Sequence, residues 1–183
     1  MEVVYHGSPD NLDIITPHKS THGKTCIYAT KKLVVALTFM GKGNGDLDTM
    51  LSSHDGHIVL VERRDGVLKS LYNKGGYIYI LDSSSFNSYD YLWREEVISF
   101  EPSINIKEKI YYPNILNALL EEEKNGNITI YKYPNRPEYV PLDNSDLIDK
   151  FIRFENKGIK GSIDYLLRIY PEFKKLVKEK LKK

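Results

Sequence analysis

Cysteine is nearly absent: the chain has one, Cys26, in 183 residues. A single thiol excludes an internal disulfide framework and any metal cluster built on cysteine alone. Long apolar runs are also missing. None approaches the roughly 18 residues a transmembrane helix needs, so no membrane partner is expected. The opening Met1-Glu2-Val3-Val4-Tyr5-His6 lacks the basic and apolar regions of a signal peptide. Nor does charge of one sign dominate. Lys plus Arg is 26, Asp plus Glu is 25 and the net charge is +1, which argues against a general nucleic-acid binder of the basic-stripe kind. These absences lead to the expectation of a globular chain in a reducing compartment, the cytoplasm. At this length it can bury roughly 70% of its unfolded surface without staples.

Tyrosine is what the chain has in excess, 14 residues, and its amphipathic ring suits wet pockets as well as cores. Val3 to His6 is a short β-rich run stopped by Gly7-Ser8-Pro9. Further strands are predicted over Cys26–Thr30, His57–Arg64, Gly76–Leu81, Glu96–Phe100, Ile104–Tyr112 and Ile128–Tyr133. A helix is predicted from Lys31 to about Met40, N-capped by Thr30, and another from Pro113 to about Lys124. Between them Gly41, Gly43, Gly45 and Gly56 bracket a loose segment. After the proline-rich stretch Pro134–Asp143 the pattern turns helical, over Asp146–Asn156 and Ser162–Lys183, with Pro171 dividing the last segment. Strands first and helices last predict an α+β fold. The expected organisation is a main domain over 1–133, followed by a linker and helical extension over 134–183 packed on it.

Most local motifs read as ordinary surface. Gly41-Lys42-Gly43-Asn44-Gly45 lacks the spacing of a dinucleotide loop, and Gly23-Lys24-Thr25 lacks the earlier glycine of a phosphate loop, where His18 stands. His18 and His22, and His54 and His57, have no neat third ligand, so no metal is expected. The terminal lysines complement a helix dipole. His6 differs. It ends a strand and is followed by Gly7, where a backbone can approach a ligand closely.

Three segments, Tyr5-His6-Gly7-Ser8, Gly23-Lys24-Thr25-Cys26-Ile27-Tyr28-Ala29-Thr30 and Glu96-Val97-Ile98-Ser99, together resemble the ADP-ribosyltransferase superfamily. The likeness is to its His-Tyr-Glu branch, that of diphtheria toxin and the poly(ADP-ribose) polymerases, and it covers roughly the first 110 residues. The resemblance implies split antiparallel sheets around a cleft for NAD, the co-substrate. It implies that His6 bonds the adenine-side ribose and that the main chain of Gly7 holds the nicotinamide carboxamide. Tyr28 and Phe39 would flank the nicotinamide ring. Glu96 would be the catalytic glutamate, acting with His6 and Tyr28, and the loop Thr16–Lys24 would lie over NAD. Ala36 stands where the polymerase branch often has a serine, and Arg94 where the arginine-modifying branch has a second glutamate. Glu95 adjoins Glu96, and strand alternation sends the two to opposite faces.

The function implied is mono-ADP-ribosyl transfer from NAD to a macromolecular acceptor, protein or nucleic acid. Two alternatives stand beside it: an inactive module that holds NAD, ADP-ribose or a protein partner, and an RNA 2′-phosphotransferase.

Overall fold

The structure is a computed structural model that describes residues 2–19, 24–41 and 43–182. In chain order the elements are β1 (Val3–Ser8), β2 (Ile14–Ile15), β3 (His18–Lys19), β4 (Thr25–Thr30), α1 (Leu33–Phe39), β5 (Thr49–His54), β6 (His57–Glu62), α2 (Val67–Tyr72), β7 (Gly76–Asp82), β8 (Glu96–Ser99), β9 (Ile104–Tyr112), α3 (Ile115–Lys124), β10 (Ile128–Tyr131), α4 (Asp146–Asn156), α5 (Ser162–Ile169) and α6 (Lys174–Lys180). The fold is α+β with an antiparallel sheet.

The chain divides into two compact units: 1–43, 53–58 and 68–129 form the first, and 44–52, 59–67 and 130–183 the second. The first holds a seven-stranded sheet in the order β2-β9-β7-β1-β4-β3, with β8 also paired to β4. Alternation explains its layering. Val4, Ile27, Ala29, Tyr79, Leu81 and Val97 enter one buried cluster, closed by Ile15, Phe86 and Ile104. On the opposite face α1 crosses β1. A Cβ on Gly7 would stand 2.3 Å from the Ala36 carbonyl oxygen, so only glycine lets the helix sit this close. Ile115 of α3 is fully buried. The Asn114 side chain caps α3 by accepting the Asn117 N–H at 2.9 Å.

The second unit is built on the helices. Leu147, Ile148, Phe151, Leu166, Tyr170, Phe173 and Val177 close around Leu47. The Tyr170 hydroxyl donates to the Leu47 carbonyl at 2.7 Å, and the Tyr165 hydroxyl donates to Asn44 at 2.9 Å. Beside this core lies an arginine network. Arg63, 2% exposed, forks onto both carboxylate oxygens of Asp146 at 2.9 and 2.7 Å and also reaches Asn144. Arg136 donates to the Arg63 and Pro141 carbonyls at 2.9 Å each, and Arg64 pairs with Asp48. Burial and the neighbouring Arg63 charge lower the Arg136 pKa.

Several expectations change here. The segment 44–52 is not loose: it contributes most of β5, and Leu47 belongs to the helical core, so the second unit reaches back well before residue 134. The expected boundary at 133 falls after Thr129. Thr30 does not cap α1. It ends β4 and its hydroxyl donates to the Lys32 carbonyl at 2.7 Å, while the helix begins at Leu33 with no side-chain cap. The helix expected at Pro113 starts at Ile115.

Candidate functional site

β1 and β4 share one register pair, Tyr5 with Thr30, and then part. β1 continues as the partner of β7 through Ser8, while β4 continues as the partner of β8. A fork therefore opens beyond Tyr5 and Thr30. His6 lies at its root. Its Nδ1 is 2.7 Å from the Tyr28 carbonyl oxygen and stitches the two strands. A carbonyl can only accept, so Nδ1 carries the proton and Nε2 keeps its lone pair. Burial lowers the His6 pKa; the Tyr28 carbonyl opposes this and His18 adds to it. The imidazole is thus held neutral, with an acceptor nitrogen opposite the stitched one. The ring centroid lies 6.1 Å from that of Tyr79. Tyr79 is itself fixed, accepting the Leu12 N–H and donating to the Asp10 carbonyl, both at 2.7 Å.

Tyr28 lies within the fork on β4, and Gly7 follows His6 under α1. Phe39, the last residue of α1, is 41% exposed, so its ring is available to a planar ligand. Ala36 is fully buried with its carbonyl against Gly7.

Glu96 opens β8 opposite Thr30, so Tyr5, Thr30 and Glu96 form one row across three strands. Tyr28, two residues from Thr30, shares their face. His6, one residue beyond Tyr5, leaves β1 on the other face. The register thus joins His6 to Tyr28 through the main chain and sets Tyr28 and Glu96 on one face, but does not set His6 and Glu96 on one face. The Glu96 carboxylate accepts the Trp93 N–H at 3.2 Å, in a turn closed by the Glu96 N–H donating to the Trp93 carbonyl at 2.8 Å. Glu95 turns inward: it is 5% exposed and accepts the Ser53 hydroxyl at 3.0 Å, with Arg94 Nε 3.6 Å away.

Ser53 and Tyr79 are the neighbours that sequence reasoning missed. The alternating Tyr77-Ile78-Tyr79-Ile80 run carried a signal for the second; nothing local marks Ser53 as the partner of a residue 42 positions away. Near the same row, Tyr5 lines a cavity of about 350 Å³ with Lys31, Lys32, His57 and Asn127.

His18 pairs with Cys26 across β3 and β4, and His57 Nε2 lies 2.8 Å from the Thr129 hydroxyl. Among the described residues no group of three His, Cys, Asp or Glu side chains is placed to hold a metal ion, and no helix is long and apolar enough to cross a membrane. His22, Gly23 and Lys42, and positions 20–23 of the loop expected over NAD, lie outside the described residues.

No protein-family model matches the chain, no curated protein matches its sequence, and no solved structure matches its fold.

Proposed function

We propose that the first unit is an ADP-ribosyltransferase-like domain that takes NAD at the fork between β1 and β4 and transfers ADP-ribose to an acceptor. The observation that carries this reading is the neutral His6 at the root of the fork, its Nδ1 committed to Tyr28 and its Nε2 left as an acceptor. A ribose hydroxyl is the donor such a nitrogen suits. Tyr28 and Phe39 supply the rings to flank nicotinamide, and Glu96 supplies a carboxylate on the Tyr28 face. Breaking the glycosidic bond develops positive charge on the ribose, as in glycoside hydrolysis. A fixed carboxylate stabilises that charge. Because His6 and Glu96 leave the sheet on different faces, the dinucleotide has to pass round the open edge of the fork.

Two observations favour the rival reading, a module that binds without turnover. The Glu96 carboxylate is engaged by the Trp93 N–H, and Ala36 offers no hydroxyl where a carboxamide contact is expected. The phosphotransferase reading loses support, since that reaction relies on several arginines and Arg94 is the one arginine assigned to the first unit.

The test is calorimetric titration with NAD combined with measurement of nicotinamide release, with and without cell lysate as the acceptor source. Binding with release supports transfer; binding without release supports the module. Absence of NAD binding overturns the transfer reading and leaves the module only as a holder of ADP-ribose or of a protein partner.

A further inference from the structure

The segment before β8 and the residue after it place three exposed rings together. Tyr89 and Tyr91 stack with centroids 5.4 Å apart and planes at 25°, and Phe100 meets Tyr89 edge-on at 6.2 Å. They are 37%, 41% and 54% exposed. The Lys24 ammonium lies 4.2 Å from the Tyr91 centroid, so the rings form a column with a cation at one end and the most exposed ring at the other. Arg94, three residues beyond Tyr91, is 61% exposed at its side chain. Large rings left in water beside a cation need an explanation that a scattered exposed residue does not.

We propose that this column is a docking platform for single-stranded nucleic acid. Exposed aromatic rings beside cations are the two components of single-strand binding: rings take base faces without regard to sequence, and cations take phosphates. The geometry discriminates against the other common guest of tyrosine clusters, a proline-rich peptide. Such a peptide needs an open slot between rings, and here Tyr89 and Tyr91 close on each other. A cation at the end of the column matches a phosphate and gains nothing from a proline ring. Asp90 and Glu101 lie in the same stretch, so the charge term is small and the platform is expected to bind weakly. It does not require the proposed NAD chemistry, and its test contains no NAD.

The experiment is fluorescence anisotropy of the full chain with a fluorescein-labelled oligouridine, an oligothymidine, and a duplex of equal length, at low and moderate salt. Single strands are expected to bind in preference to duplex. Phe100, the end ring, offers the open face, so Phe100→Ala should weaken binding between about fivefold and a hundredfold. Tyr91 lies between Lys24 and Tyr89 and supports the column, so Tyr91→Ala should weaken binding less and Tyr91→Phe should retain it. Lys24→Gln should flatten the dependence of log K on log salt by about 0.7. Circular dichroism establishes that the variants fold. No binding of either single strand at low salt overturns the proposal, as does equal affinity for duplex or indifference to both alanine substitutions. Binding of a proline-rich peptide through Tyr91 in place of the oligonucleotides also overturns it, in favour of a peptide dock.

Discussion

At the scale of single residues, His6 and Glu96 make different predictions. His6 is buried neutral, so the unfolded chain binds its proton more readily than the folded one does. Its contribution to stability is complete above an ordinary histidine pKa of about 6.5 and declines as pH falls from there toward the lowered folded value. Denaturant midpoints at about pH 7.5 and about pH 5.5 should therefore differ more for the natural chain than for His6→Asn. Equal differences would mean that His6 is not held neutral. For Glu96 the expectation, on the proposed transfer from NAD, is kinetic. Glu96→Gln keeps an acceptor for the Trp93 N–H and removes the charge. Nicotinamide release should drop about 10²–10³-fold with NAD affinity little changed, because the charge it serves develops only in the transition state. Glu95→Gln is the control, since glutamine can still accept from Ser53. A Glu96→Gln protein as fast as the natural one would remove Glu96 from the mechanism. Gly7 gives a third test. In Gly7→Ala the new methyl meets the Ala36 carbonyl, and overpacking of this kind costs about 1–3 kcal/mol, readable from urea unfolding.

At the scale of elements, legibility depended on whether a pattern closes locally. β4 and β7 alternate apolar residues toward one cluster, and that rhythm is visible in Cys26–Thr30 and Gly76–Leu81. The β5–β6 hairpin, which joins β10 in a three-stranded sheet, is masked in the sequence by the glycines around it, which read as loop. Yet Asp55 (φ 48°) and Gly56 (φ 81°) take the two left-handed conformations a tight hairpin turn requires, and Asp-Gly is its sequence signal. The start of α1 was misplaced because Thr30 is a good capping residue in isolation; pairing with Tyr5 and Glu96 holds it in the sheet instead. Of the candidate site, the strands bearing His6, Tyr28 and Glu96 were legible. Their faces were not, because register depends on pairing partners that no local pattern names. The cap of α3 offers a measurement: Asn114→Ala should lower stability by about 0.5–2 kcal/mol, and no change would mean that the Asn117 N–H finds water at no cost.

At the scale of the whole molecule, the second unit is assembled from three stretches, and its buried charges depend on all of them. Asp146 answers Arg63 from 83 positions away. Asp146→Ala would leave a guanidinium 2% exposed without its carboxylate. Removing one partner of a buried pair costs about 3–5 kcal/mol; with Asp146 itself a third exposed, the lower end is expected in denaturant unfolding. A loss well under that would show that Asn144 alone satisfies Arg63.

The place of Leu47 in the helical core also has a consequence in time. Leu47 leaves the ribosome 123 residues ahead of Tyr170, whose hydroxyl donates to its carbonyl. At about 5–20 residues per second the nascent segment around Leu47 waits several seconds to tens of seconds before its partners emerge. During that interval the segment stays open to chaperones and proteases. Arrested nascent chains ending before Asp146 should be cut within 44–52, and chains released complete should resist; equal resistance of both would mean that the segment finds shelter without its helices.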